Sequence, residues 1–421
     1  MKTARKALLA LLLLLLAVSA WVAWVNLGDE WPGPGSATAP LKLTPQHIGR
    51  GAYLARAGNC AACHTARGGL PYAGGRGIET PFGTLYAGNL TPDPATGLGR
   101  WTPDEFWRAL HHGRSRDGRL LYPAFPYPQF TELDRADSDA LYAYLRSLAP
   151  VRQENRPHAL RFPYDSQVAL ALWRAMYFRP REFRPDATQS AQYNRGAYLV
   201  RSLGHCAACH GTRDALGGPS GELEFGGAEM PRGRWYAPSL HAREEAGVAG
   251  WSLEQTVRLL RDGINQEASV MGPMAEVVWG STQHLSAADL EAMATFLRAL
   301  PAAPARPHAG EPAVADARLG QKLYERHCSE CHGDQGQGVP GVYPALAGSR
   351  AVTMASAHNP IQAVLGGGFA PATTGNPRPY GMPPFRLLLT DDEIAAVVSH
   401  VRTSWGNQAL PVTAWEVQQA R

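Results

Sequence analysis

The sequence predicts an all-α fold of three tandem repeats, each about 100 residues long. Three observations predict it. The six cysteines fall into three C-x-x-C-H units: Cys60, Cys63 and His64; Cys206, Cys209 and His210; Cys328, Cys331 and His332. RGAYLAR (50–56) and RGAYLVR (195–201) stand just ahead of the first two units, and a looser Gly320 and Tyr324 precede the third. Each unit is then followed by two helical patterns before the next repeat begins.

In chain order the first element is the N-terminal segment 1–26. Lys2, Arg5 and Lys6 precede an apolar run from Ala7 to Val25, the pattern of an export signal. Val18, Ser19 and Ala20 offer small residues for cleavage, while the run is just long enough to span a bilayer, so removal and retention as an anchor both stand. The basic flank keeps the N-terminus in the cytoplasm and sends the rest outward. A buried core helix is the poorer reading, because the unbroken leucines from Leu11 to Leu16 leave no polar face.

Inside each repeat a short helix is expected to lead into the C-x-x-C-H unit. A second helix begins at Trp101-Thr102 and at Trp251-Ser252, with capping boxes Thr102/Glu105 and Ser252/Gln255, and stops at Gly113 and Gly263. In the third repeat Asn359-Pro360 supplies the start and Gly366 the stop. A last helix closes each repeat: Ser138–Leu148, Ser286–Leu300 and Thr390–Trp405. Leu141, Tyr144, Leu145 and Leu148, like Leu290, Met293, Leu297 and Leu300, recur at helical spacing and read as core. The repeats span 45–150, 191–301 and 314–407. A connector occupies 151–190, where Val168–Phe178 reads as a helix packed across domains; a Pro/Ala linker occupies 302–313 and a tail 408–421.

Charged residues are only 18% of the chain and the net charge of +4 is dispersed, which excludes a dedicated nucleic-acid binder. Gly (44) and Pro (34) follow no G-x-y period, so the chain is loop-rich rather than fibrous. No G-x-G-x-x-G follows a strand, so neither flavin nor nicotinamide binding is expected, and no residue is assigned to catalysis on an organic substrate.

C-x-x-C-H is the attachment pattern of haem c. Two thiols must reach the two vinyl groups of one porphyrin from a single turn, and the next side chain must bring an imidazole to the iron. A disulfide framework gives no reason for the histidines, a thioredoxin-like site needs none, and structural zinc wants paired units where three occur. The expectation is three cytochrome c-type domains, each with one covalent haem c and with His64, His210 or His332 on its iron. A methionine on the far side of the iron would complete an electron carrier. Met274, in a Gly-Pro-Met loop, is the choice in the second repeat, ahead of Met271; Met382, in the Pro-stiffened 380–385 loop, is the choice in the third, ahead of Met354. In the first repeat the register set by Gly113 puts Phe125 in the methionine's place, and Phe cannot ligate iron. The sixth position there is open or water-bound, or is filled by His111, His112 or Met176.

Three long stretches, 80–110, 272–290 and 380–407, resemble the tri-haem cytochrome c subunits of membrane-bound periplasmic dehydrogenases, the group that serves alcohol, gluconate, sorbitol and aldehyde dehydrogenases and some molybdenum hydroxylases. The resemblance covers nearly the whole chain from about Gly49 onward. It implies Met274 and Met382 as axial ligands, and a Met where this chain has Phe125. It further implies a catalytic dehydrogenase partner, whether quinoprotein, flavoprotein or molybdenum hydroxylase, and delivery of electrons to ubiquinone or a terminal oxidase. The place implied is the membrane surface on the periplasmic side of the bacterial cytoplasmic membrane. Two alternatives remain: a haem enzyme using an open first iron for peroxide or small-gas chemistry, and a soluble electron shuttle.

Overall fold

The computed structural model describes residues 2–27, 41, 43–221, 223–231, 235–304 and 316–421. The linker at 302–313 lies outside the described residues from 305 on, as do residue 1 and residues 314–315. The chain divides into two compact units, one of Met1–Leu54, Cys63–Arg184 and Arg213–Pro219, the other of Ala55–Ala62, Pro185–Thr212 and Ser220–Arg421.

Helices dominate. In order they are α1 (Lys2–Leu27), α2 (Pro45–Ala57), α3 (Cys60–His64), α4 (Pro103–His112), α5 (Tyr127–Phe130), α6 (Arg135–Ser147) and α7 (Gln167–Tyr177). Next come α8 (Ala191–Tyr198), α9 (Ala207–His210), α10 (Leu253–Asp262), α11 (Pro273–Gly280) and α12 (Ala287–Arg298). The series ends with α13 (Ala317–His327), α14 (Ser329–His332), α15 (Arg350–Thr353), α16 (His358–Gly366), α17 (Asp391–Thr403) and α18 (Ala414–Ala420). The all-α expectation needs one amendment, because short antiparallel ladders lie in the loops. β1 (Gly77–Thr80) pairs with β2 (Gly83–Tyr86), which also pairs with β3 (Ala159–Leu160). β4 (Ala228–Glu229) pairs with β5 (Tyr236–Ala237), and β6 (Gly368–Phe369) with β7 (Gly381–Met382).

One crossing recurs in every repeat, between the helix that enters the C-x-x-C-H turn and the last helix. At Gly51 of α2 an added Cβ would stand 2.6 Å from the carbonyl carbon of Ala140 and 2.7 Å from Tyr144 Cβ on α6. At Gly196 of α8 it would stand 2.5 Å from the carbonyl carbon of Ala292 and 2.9 Å from Phe296 Cβ on α12. At Gly320 of α13 it would stand 2.9 Å from His400 Cβ and 3.0 Å from the carbonyl carbon of Ala396 on α17. Glycine is therefore what lets the two backbones touch, and this is the physical content of the recurring G in the heptapeptide. The arginine before it serves the same joint: Arg50 Nε donates to Asp137 Oδ1 (2.6 Å), and Arg195 grips Asp289 through Nε and Nη2 (2.8 and 2.9 Å). Such charge-assisted pairs on a buried aspartate are stronger than neutral hydrogen bonds. The third repeat has Leu319 at that position and lacks the pair.

The middle helices begin and end as expected. Thr102 and Ser252 accept from the backbones of Glu105 and Gln255, both capping boxes close, and Gly113 (φ 59°) and Gly263 (φ 72°) terminate α4 and α10 in the left-handed region. Several boundaries differ from expectation; α12 ends at Arg298 and α17 at Thr403, each two residues before the expected Leu300 and Trp405. α6 starts at Arg135, not Ser138, because Asp134 caps it by accepting from Asp137 N (2.7 Å). α16 has no side-chain cap, and its positive-φ terminator is Gly367 (φ 58°), one residue beyond Gly366. Asn359, read as the start signal, lies inside the first turn; its amide instead bonds both the N–H and the C=O of Tyr236 (2.9 Å each).

In the second compact unit, the third repeat closes on a core of Tyr324, Ile361, Leu365, Ile394, Val397 and Val398. Val417 and Ala420 of α18 belong to that core as well, so the segment after 407 contributes packing. Arg402 is fully buried there, donating to the carbonyls of Val352 (2.7 Å), Met354 (3.2 Å), Ala355 (3.4 Å) and Leu410 (2.9 Å).

Candidate haem sites

Each C-x-x-C-H motif is a single helical turn: α3, then α9 with Cys206 at its cap, then α14 with Cys328 at its cap. Asn59 (φ 48°) and His205 (φ 39°) turn the chain through the left-handed region one residue before Cys60 and Cys206. No disulfide links any of the six cysteines. Burial, with Cys209 beside it, pushes the Cys206 thiol up to about 12, and burial beside Cys331 takes Cys328 to about 11. These are neutral sulfurs in apolar surroundings, which suits a thioether better than a thiolate.

The histidines are held alike in all three repeats. Nδ1 of His64 lies 2.7 Å from Gly88 O, Nδ1 of His210 lies 2.7 Å from Pro238 O, and Nδ1 of His332 lies 3.0 Å from Pro344 O. A carbonyl only accepts, so Nδ1 carries the proton and Nε2 keeps its lone pair for a metal. Burial holds all three imidazoles below their ordinary pKa, the carbonyl bond opposing it, so the neutral ligating form prevails. A glycine completes each bracket: the backbone N–H of Gly74, Gly227 and Gly338 donates to the carbonyl of His64, His210 and His332 (2.7, 2.8 and 2.7 Å). All three glycines have positive φ (81°, 83° and 62°). At each, an added Cβ would stand 2.7 Å from a backbone nitrogen of the segment that carries the histidine's carbonyl partner, at Asn89, Ser239 and Ala345. The donor set thus fits haem c: two thiols and an oriented imidazole on one turn.

In the second compact unit a cavity of about 1210 Å³ is shared by two repeats. Cys206, Cys209, His210 and Met274 line it from one, and Cys328, His332 and Met382 from the other. Met271 and Met354 also reach it. Met274 sits in the first turn of α11 rather than in a free loop, and Met382 ends β7. Gly367 lets the Met382 loop approach, since a Cβ there would lie 2.7 Å from the carbonyl carbon of Pro383. Ala57 and Asn59, just ahead of Cys60, line the same cavity. His205 Nε2 lies 3.2 Å from Gly58 O, and Ser281 Oγ donates to Ala57 O (2.9 Å). The turn entering the first motif therefore abuts the turn entering the second.

The structure also fixes the register of Phe125. Gly263 O accepts from Val270 N and Gly113 O from Leu121 N, both at 2.8 Å, and four residues beyond these donors stand Met274 and Phe125. Phe125 packs on Phe130 with centroids 5.5 Å apart. His111 and His112 correspond to Arg261 and Asp262, neither of which lines the cavity of the second repeat. His111 is buried and stacks on Trp107 (4.5 Å), while Met176 lies on the outer side of α7.

Comparison with known proteins identifies the family. The cytochrome c family model matches residues 48–149 and 317–405, and that of the cbb3-type cytochrome c oxidase subunit III matches 191–297. The chain is 38% identical to the cytochrome c subunit of a quinone-dependent alcohol dehydrogenase from Gluconacetobacter polyoxogenes, over 89% of this chain and 84% of that one. The chain belongs to the family of dehydrogenase cytochrome c subunits. A gluconate 2-dehydrogenase cytochrome c subunit from Pantoea cypripedii is 37% identical over 89% of both chains. A nicotinate dehydrogenase subunit from Pseudomonas putida is 40% identical over 91% of this chain but only 32% of its own length. Like its relatives, this cytochrome subunit binds haem c and transfers electrons.

Proposed function

We propose that this cytochrome subunit holds three haem c groups and carries electrons from a catalytic dehydrogenase subunit to ubiquinone or a terminal oxidase. The place proposed is the outer face of the cytoplasmic membrane. The observation that carries the number three is the recurrence of one bracket: Cys-x-x-Cys-His on a turn, Nδ1 on a carbonyl, and a positive-φ glycine on the histidine's own carbonyl. When bound, haem c supplies one-electron redox chemistry. The chain's part is to fix each imidazole tautomer, to keep water out with apolar walls, and to present Met274 and Met382 as soft donors that raise the potential. The cavity shared by the second and third motifs supports electron passage between those two centres.

The test is the subunit isolated with its partners from gently solubilised membranes. Intact mass should show three haem additions on one chain, and a stoichiometric large subunit carrying quinone cofactor, flavin or molybdenum should accompany it. Two haem additions, or a cytochrome reproducibly alone, would overturn the corresponding part. The Phe125 register favours one second reading, an open first iron. Carbon monoxide added to the reduced protein should then bind at one centre in three; no binding removes that reading.

A further inference from the structure

The helix of the connector is inside out. α7 runs Gln-Val-Ala-Leu-Ala-Leu-Trp-Arg-Ala-Met-Tyr. A helix on the surface of a soluble domain turns its charged residues to water and its aliphatic ones inward. In α7 the one charged residue, Arg174, is 4% exposed, whereas Val168 is 80% exposed and Leu172 and Met176 are exposed as well. These three residues are spaced at i, i+4 and i+8 and form one stripe along the helix. The preceding loop adds Phe162, 85% exposed, and an exposed Tyr164.

The inward side of α7 shows what lies beside it. The Arg174 guanidinium stands over the rings of Tyr127 (5.2 Å) and Phe178 (4.8 Å), and its Nε donates to Asn26 Oδ1 (3.0 Å). Asn26 Nδ2 donates to Ala171 O on α7 (3.0 Å), and Arg114 Nη2 donates to Asn26 O (2.5 Å). Asn26 is the penultimate residue of α1. That helix is long and apolar enough to cross a membrane, and none of its residues is fully buried by protein. Its basic residues are at the far end, and Trp21 and Trp24 stand in the last two turns beside α7, where interfacial tryptophans belong if the helix spans the bilayer outward. The exposed stripe of α7 is thus fixed at the level where α1 leaves the hydrocarbon. Around it, exposed Arg161, Arg179 and Arg184 stand against exposed Asp165, Glu182 and Asp186, and Arg181 is paired with Glu132, so the rim is polar and of mixed charge.

We propose that α1 is retained and that α7 lies in the outer interface of the bilayer beside it, with Val168, Leu172, Met176 and Phe162 set among the upper acyl chains. The occupant of the stripe is lipid. The inference rests on the reading of the chain as an exported, membrane-held subunit and adds a second contact, made by the connector, to the single span. One transmembrane helix leaves a domain free to swivel about its axis; a second, in-plane helix joined to it through Asn26 and Arg174 removes that freedom and fixes the face that the first compact unit turns toward the membrane.

The experiment places the photo-reactive amino acid p-benzoylphenylalanine at Leu172 of the full-length, haem-loaded protein in its native membrane, with the same residue at the exposed Arg67 as control. After irradiation the chain is analysed by mass spectrometry. A phospholipid adduct at 172 and none at 67, on a chain that begins ahead of Ala7, is the expected result. A protein adduct at 172, from a dehydrogenase subunit or a second copy, would overturn the proposal, as would no adduct at all or a chain that begins after Ala20. In a second arm the probe sits at Met176 and Val168→Glu and Leu172→Glu are introduced; the lipid adduct should be lost, and its persistence would count against insertion of the stripe. Dehydrogenase-driven quinone reduction measured in the same membranes separates this from the functional reading. Electron transfer with no lipid adduct defeats only the docking, and a lipid adduct without electron transfer defeats only the relay.

Discussion

Gly49 and Gly51 lie two residues apart on α2 and should respond to alanine with opposite signs. Alanine is the better helix former by about 1 kcal/mol, so Gly→Ala in a helix stabilises wherever there is room. At Gly49 nothing lies within 4 Å of the added carbon. At Gly51 it would stand 2.6 Å from the carbonyl carbon of Ala140 and 2.7 Å from Tyr144 Cβ, whereas ordinary contact begins at 3.4 Å. The obstacle is chiefly backbone, the Ala140 carbonyl oxygen nearest of all, which cannot rotate aside, so α2 and α6 must separate by more than an ångström and loosen the Arg50–Asp137 pair. Overpacking by one carbon costs about 1–3 kcal/mol, and here the upper end applies because two helices move together. Net of the propensity gain, Gly51→Ala should destabilise by about 2 kcal/mol, a fall in Tm of about 4–8 °C, while Gly49→Ala should raise it by about 2–4 °C. Thermal unfolding of the haem-loaded protein, followed in the haem absorbance and the far-ultraviolet circular dichroism, reads both. A Gly51→Ala variant as stable as Gly49→Ala would refute the crossing. Gly196→Ala should repeat the effect in the second repeat.

Other outcomes follow from the sites and their surroundings. Met274→Ala and Met382→Ala should each lower the potential of one centre and produce a new high-spin signal in electron paramagnetic resonance; an unchanged redox titration would reject that ligand. Phe125→Met should do the reverse in the first repeat, adding one methionine-ligated low-spin centre and abolishing carbon monoxide binding there. Burial, aided by His111 and the arginines at 174, 114 and 108, holds His112 down to about 4. An unfolded chain takes up that proton below pH 6.5 and the folded one does not until about pH 4, so stability should fall across this window by about 2 kcal/mol after allowing for partial exposure, with no effect above it. His112→Gln should flatten the profile of denaturation midpoint against pH between those limits. Arg402→Met should cost about 3 kcal/mol or more, since it strands carbonyls on α15 and in the loops after α15 and α17; a Tm lowered by less than a degree would show that water replaces the guanidinium.

Much of this molecule is legible in its sequence because its chemistry is local. A cysteine pair and a histidine on one turn need only five residues, and the capping boxes at Thr102 and Ser252 only four. What was not legible depends on partners far along the chain at irregular spacing. The glycines that bracket the histidines lie ten, seventeen and six residues after them, so no alignment of the repeats would pair Gly74, Gly227 and Gly338. Asn359 looked like a helix cap because Asn before Pro usually is one, but two hydrogen bonds to Tyr236 outweigh the one a cap would give. The two-residue ladders are too short to show alternation, and α18 is amphipathic over so few residues that its buried Val417 and Ala420 looked like part of a polar tail. The helical pattern of α7 was clear, but which of its faces is exposed was not, since a helix apolar on both sides gives no direction by periodicity alone.

The glycine crossings also impose an order in time. Each joins the first helix of a repeat to its last, so it cannot form until almost the whole repeat has been made, and contacts so distant along the chain are slow to close. The Cys-x-x-Cys-His turn lies just inside the loop that the crossing ties off. Until α6, α12 or α17 arrives, that turn hangs on a single helix with both thiols within reach of an enzyme; once it arrives, the first thiol of each pair is half-buried. The joint that sets the architecture of each repeat therefore also sets the interval in which its cofactor can be attached.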